Sequence, residues 1–125
     1  ALSTLLLMEA QVQWMVELGG LTACAERTGA NSSHLYQWAE AHPLLSPFVT
    51  NPADRSPVIV TIDVDESIDA TALTSTLRAN GIVDTEPYRK LGRNQVRIAT
   101  FVGIEHDDVT RLAASIDYVL ERLAD

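Results

Sequence analysis

Val58-Ile59-Val60-Thr61-Ile62 is a run of five β-branched residues, and its reading decides the fold. Side chains of this kind are stiff in a helix and pack well on a pleated surface, so the run predicts a strand. Both of its faces are apolar, which predicts a well-buried one. Asp63, Asp65 and Glu66 end it. Downstream, Asp69 caps a helix whose Ala70, Leu73 and Leu77 face the core, and Asn80-Gly81 offers the left-handed geometry that closes it. Ile82-Val83 opens a second, brief strand. Gln95 to Phe101 forms a third, with Arg97, Ala99 and Phe101 on one face and Val96, Ile98 and Thr100 on the other. Asp107 and Asp108 then sit where a helix start favours negative charge. Val109, Leu112, Ile116, Val119, Leu120 and Leu123 follow at helical intervals to the end of the chain.

Upstream of the run the pattern is helical. Residues 44–57 hold Pro47, Pro52 and Pro57 with Asn51 and Asp54, and read as an irregular linker. Leu5, Met8, Val12, Met15 and Val16 predict an amphipathic first helix over residues 1–20, stopped by Gly19-Gly20. A second helix over 21–43 carries Cys24, Thr28, Leu35, Trp38 and Ala39 on one side, with Gly29 as its weak point, until Pro43 ends it. Residues 58–125 complete the order with strand, helix, strand, strand, helix. A small, largely antiparallel sheet with helices on one face buries these stripes, which makes the fold α+β.

A chain of 125 residues with 46% hydrophobic content supports one compact core. It starts at Ala1 rather than Met, with a helical pattern beginning almost at once, and is expected to be a processed or excised piece of something longer. Cys24 is the only cysteine, so no intrachain disulfide is available and a reduced, cytoplasmic setting is expected. The longest aliphatic run, Leu5-Leu6-Leu7-Met8, falls far short of the roughly 20 apolar residues of a membrane helix. No membrane partner is expected.

Four of the nine basic residues, Arg89, Lys90, Arg93 and Arg97, fall in one nine-residue stretch of a chain whose net charge is −8. Such a background argues against nucleic acid as a partner. A guanidinium is a planar fork that pairs with carboxylate or phosphate through two parallel hydrogen bonds, so the cluster points to a small anionic ligand. Arg97, on a strand face with Ala99 and Phe101, either reaches over the sheet edge to solvent or points into a ligand site. Pro87 and Gly92 shape the loop that bears Arg89 and Arg93.

Other chemistries find less support. Lys90 is the only lysine, but three arginines in the same stretch and no apolar surroundings argue for a hydrated ammonium rather than a Schiff-base amine. His34, His42 and His106 are scattered without ligand partners, so no metal site is expected. Asp63, Asp65 and Glu66 lack the glycine and distal glutamate of a calcium loop and read as a solvated strand end.

From Asn80-Gly81-Ile82-Val83-Asp84-Thr85-Glu86-Pro87-Tyr88-Arg89 through Lys90-Leu91-Gly92-Arg93-Asn94-Gln95-Val96-Arg97-Ile98-Ala99 the chain resembles the C-terminal small domain of phosphoserine aminotransferases in their actinobacterial form. Ser3-Thr4-Leu5 to Gly19-Gly20-Leu21 is similar to the helix that leaves that family's large domain, and Leu35-Tyr36-Gln37-Trp38-Ala39 and Thr50-Asn51-Pro52 also fit. The resemblance implies a fold-type I, pyridoxal 5'-phosphate-dependent homodimer that moves an amino group from L-glutamate to 3-phosphohydroxypyruvate. The products are O-phosphoserine and 2-oxoglutarate, in serine and in some organisms pyridoxine biosynthesis. It also implies that the cofactor lysine and the cofactor phosphate site lie in the large domain of the same polypeptide, so this chain alone is expected to be inactive.

Carried over by position, Arg97 matches the arginine that pairs with the substrate α-carboxylate. Arg89 matches the arginine of the family's Gly-His-Arg motif, which helps hold the substrate phosphate or the side-chain carboxylate of glutamate. Here Pro87-Tyr88 replaces Gly-His and the loop to Arg97 is one residue longer, so Tyr88, Lys90 and Arg93 are the candidate substitutes for the histidine. Two further readings stand beside this one: a freestanding anion- or amino-acid-binding regulatory module, and an oligomerisation domain built on the apolar first helix.

Overall fold

The computed structural model describes residues 1–124. Asp125, the last residue of the expected terminal segment, lies outside the described residues. Two helices open the chain, α1 (Leu2–Glu17) and α2 (Gly20–Ala41). The turn between them needs glycine: Gly19 has φ +121°, and a Cβ there would come within 2.9 Å of the Ala23 Cβ. Gly29 does not interrupt α2, which runs on to its cap at His42. The His42 Nδ1 accepts from the Leu44 N–H at 3.1 Å and turns the chain toward the sheet.

The sheet has three antiparallel strands in the order β1 (Leu45–Pro47), β2 (Ile59–Val64), β3 (Gln95–Ala99). Its first strand lies inside the stretch expected to be an irregular linker, which corrects that expectation. Leu45 pairs with Val64 and Pro47 with Ile62. Three residues are too few to print an alternation, and an edge strand tolerates Pro47 because one side of its ladder is unpaired. The expected strand at Ile82-Val83 does not form. Gly81 at φ +86° and Asp84 at φ +63° break the extended backbone on either side of the pair. The Ile82 N–H instead donates to the Leu77 carbonyl at 3.0 Å and closes α3 (Ala70–Ala79). Asp69 caps that helix as its sequence position predicts, accepting from the Thr71 N–H at 2.8 Å.

Helices α2, α3 and α4 (His106–Leu123) contact the sheet or one another, and their apolar stripes meet one sheet face. Leu35, Leu73, Leu77, Val109, Ile116 and Leu120 pack with Val60, Ile62, Val64, Val96 and Ile98 in a single core. Burial of β2 alternates strictly, so the strand expected to be buried on both faces is buried on one. Ile59, Thr61, Asp63, Arg97 and Ala99 stand half-exposed on the other. Asn94 fastens this arrangement at one corner. Its Nδ2 lies 3.0, 3.1 and 2.7 Å from the carbonyls of Val64, Asp65 and Ile68, and its Oδ1 accepts from the Ala70 N–H at 2.8 Å.

Helix α1 departs from its expected amphipathic form. None of its residues is buried, and Leu2, Leu5, Leu6, Leu7, Met8, Val12 and Val16 are all more than half exposed. Its apolar residues are spread around the helix, so no single stripe docks on the core, and its main contacts are with α2.

Candidate functional site

The open sheet face carries the polar chemistry. In register, Thr61 stands opposite Arg97 and Asp63 opposite Gln95, with Ser46 on the far side of Asp63. Asp63 is fully engaged: Arg93 donates to it through Nε at 3.2 Å and Nη2 at 2.5 Å, and the buried Gln95 donates through Nε2 at 2.7 Å. Hydrogen bonding to Asp63 holds the Arg93 guanidinium even further above its ordinary range. The same guanidinium lies 4.8 Å from the centroid of the Phe48 ring. Arg93 is therefore anchored from below and from the side.

Beside β3, residues 84–88 follow the bend at Asp84 without joining the sheet. One bond ties them to it, from the Arg97 N–H to the Thr85 carbonyl at 2.9 Å. On the outer side Arg78, in the last turn of α3, donates to Glu86 at 2.7 Å and to Asp84 at 3.2 Å. These bonds raise Arg78 above its ordinary range, and the bond from Arg78 is the main cause that lowers the Glu86 carboxyl. Thr85 is held between these two attachments, 4% exposed, with its hydroxyl buried and unpartnered. The chain then reaches an exposed turn, Tyr88-Arg89-Lys90-Leu91, closed by the Leu91 N–H donating to the Tyr88 carbonyl at 2.9 Å. Gly92, at φ +65°, returns it to β3. Arg89 thus sits exposed in the turn that precedes β3.

A census of the basic side chains separates them into two sets. Arg27, Arg55, Arg78, Arg93, Arg111 and Arg122 each have a carboxylate oxygen within 2.5–3.9 Å. Among the described residues, Arg89, Lys90 and Arg97 have none. In a chain with net charge −8 and seventeen acidic residues, three cations left without carboxylates in one short stretch make a surface for an anion. Of the five residues singled out by sequence, the structure brings Tyr88, Arg89 and Lys90 into one exposed turn that follows the Thr85 attachment to Arg97. It sets Arg93 apart, on Asp63.

Two clefts flank this surface, and Arg97 lines neither. One, of about 610 Å³, lies between α4 and residues 81–85, with Ile82, Ile98, Ile104 and Leu112 in its wall. The other, of about 640 Å³, includes Arg93, but Asp63, Asp65 and Glu66 line it too and would repel an anion. Arg97 stands on an open face that the described residues do not enclose. The three histidines play local roles: His106 Nδ1, for example, lies 2.9 Å from the Asn31 Oδ1. Among the described residues there is no cluster of three or more metal-ligating side chains, and no helix is long and apolar enough to cross a membrane. Sequence reasoning missed Asp63, Gln95 and Arg78 as partners, and the one available signal was their charge and amide chemistry on either side of the basic stretch.

No protein-family model matches the chain. It is 54% identical over 123 residues to a phosphoserine aminotransferase of Rhodococcus jostii (strain RHA1), an alignment covering 98% of this chain and 33% of that protein. Its fold is similar to that of the phosphoserine aminotransferase from Bacillus circulans subsp. alkalophilus, with a TM-score of 0.76 at 16% identity over 85% of this chain and 29% of the other. It is likewise similar to a phosphoserine aminotransferase from Trichomonas vaginalis solved with pyridoxal phosphate bound, with a TM-score of 0.73 at 14% identity over 84% and 30%. The chain thus spans about a third of the length of the curated relative it matches.

Proposed function

From the premise that this chain is homologous to the C-terminal third of phosphoserine aminotransferases, we propose that it is the substrate-binding small domain of such an enzyme. The parent activity is transfer of the amino group of L-glutamate to 3-phosphohydroxypyruvate, giving O-phosphoserine and 2-oxoglutarate. The observation that carries the reading is the set of cations without carboxylate partners among the described residues, with Arg97 half-buried on the open sheet face and Arg89 and Lys90 exposed in the turn that precedes its strand. All four substrates and products carry an α-carboxylate and a second anionic group. Arg97 binds the α-carboxylate through its fork. Arg89, with Tyr88 and Lys90 on the same turn, meets the phosphate or the distal carboxylate. Two fixed anchor points orient the carbon between them, and orientation of the reacting carbon is this chain's share of the catalysis.

The cofactor of this activity is pyridoxal 5'-phosphate, and the residues present do not fit it. The single lysine, Lys90, lies exposed in a turn, whereas an amine that condenses with an aldehyde at neutral pH needs desolvation. The apolar cleft beside α4 has no lysine in its wall. In this reading the cofactor is held by the large domain of the same polypeptide, which packs over the open sheet face. The reading extends, on the family resemblance, to a cytoplasmic homodimer serving serine biosynthesis, and pyridoxine biosynthesis where that route exists. This chain alone is inactive.

The test is Arg97→Ala in the full-length enzyme, with both half-reactions followed separately. Loss of a charged, hydrogen-bonded pair costs about 2 kcal/mol, so kcat/KM is expected to fall about thirtyfold or more for glutamate and for phosphoserine alike. Unchanged values for both substrates would refute the assignment.

A further inference from the structure

The open sheet face raises a question of charge: Arg97 has a carboxylate close by, yet no ion pair forms. Asp63 sits on the same face, one strand over and two residues along from Thr61, the residue opposite Arg97. Such diagonal neighbours lie roughly 7–8 Å apart, within the reach of a long side chain. Left alone, an aspartate at that distance would capture the guanidinium. Instead Asp63 takes both bonds of the Arg93 fork and a third from Gln95. Arg93 in turn is steadied over the Phe48 ring.

We propose that Arg93 is a positioning residue whose task is to occupy Asp63, so that Arg97 stays free for the substrate carboxylate. Arg93 touches no substrate. It acts through Asp63, and Gln95 shares the duty from the strand itself. The proposal rests on the role given to Arg97 above, and it reassigns Arg93 from the ligand-binding set to the residues that keep a rival anion occupied. It also accounts for an aspartate on a face that binds anions: paired with Arg93, Asp63 fixes the return of the basic loop onto β3 at no net charge.

The experiment is a mutant cycle in the full-length enzyme, reading KM and kcat for glutamate and phosphoserine. Arg93→Ala should raise both KM values about tenfold, the cost of one competing charged pair, with a smaller effect on kcat. Adding Asp63→Asn should bring KM back to within about threefold of the parent enzyme, because the competitor is gone. Adding Glu66→Gln instead, which removes a nearby exposed carboxylate, should not restore it. If Asp63→Asn fails to restore KM, Arg93 binds the substrate directly and the proposal is overturned. It is overturned as well if Glu66→Gln restores KM equally, which would mark a general charge effect, or if Arg93→Ala leaves KM unchanged. Should Arg93→Ala not fold, Arg93→Gln, which removes the charge that occupies Asp63 and keeps most of the side-chain bulk, is read in the same way. Failure of the Arg97 assignment shows separately, as an Arg97→Ala variant with normal KM.

Discussion

Arg97 and Arg93 are the same residue type four positions apart, and their environments differ. Arg93 faces a carboxylate across 30 residues of chain and spends its fork there. Arg97 faces Thr61, whose hydroxyl has no charge to offer. For Arg97 the planar fork matters as well as the charge. Arg97→Lys keeps the charge and loses one of two parallel bonds, so kcat/KM should fall about tenfold for both substrates, less than for Arg97→Ala. Steady-state kinetics of the two variants side by side check this, and equal losses would mean that charge alone is used. The clustering of Arg97 with other basic residues was legible in the sequence, because residue type and spacing carry that information. The pairing of Arg93 was not. It depends on the strand register that sets Asp63 opposite Gln95, and register is fixed by the packed core rather than by any local pattern.

At the scale of elements, the segment from Asp84 to Glu86 behaves as a strut between α3 and β3. Arg78 holds it outside, and the Arg97 N–H holds it inside. Removing Arg78 should loosen it. Both side chains are substantially exposed, so screening limits the pair, and Arg78→Ala should lower protection of the Arg97 amide against hydrogen exchange only about two- to fivefold. The same clamp depends on pH. The Glu86 carboxyl lies below its ordinary value of 4.5 when folded, so its stabilisation is complete above that pH. It is lost as pH falls through the lower folded value. Protection of the Arg97 amide, corrected for intrinsic rates, should therefore decline below about pH 4.5 in the parent and not in Arg78→Ala. Asn94 gives the larger effect. Its amide serves β2, the turn after it and the first turn of α3 at once, and Asn94→Ala should cost about 2–3 kcal/mol in urea unfolding by leaving those groups unsatisfied. Helices α3 and α4 and strands β2 and β3 were readable from periodicity and caps. The first strand was not, being three residues containing Pro47, and the false strand at Ile82-Val83 arose because two apolar residues carry no sign of the positive φ values on either side.

The molecule as a whole divides into a well-packed body and one helix that takes no share in it. Its core is complete without α1, since no residue of that helix is buried, and the apolar residues expected to form a stripe there are spread around the helix among Glu9, Gln11, Gln13 and Glu17. A helix with this many exposed apolar residues is at home against a larger protein, and on a small one it is a surface that water disfavours. Two consequences follow for residues 1–125 prepared alone. Removing residues 1–18 should leave the thermal midpoint within about 2 °C, because almost no apolar burial is lost. Self-association should disappear with that helix. Light scattering of the 125-residue chain is expected to give a mass that rises with concentration above its 13.6 kDa, whereas the shortened chain stays monomeric. Leu6→Glu, at a position 57% exposed, should reduce the association without changing the fold, since a charge there meets only solvent in the monomer. A monomeric 125-residue chain at all concentrations would mean that α1 folds back onto the body in solution.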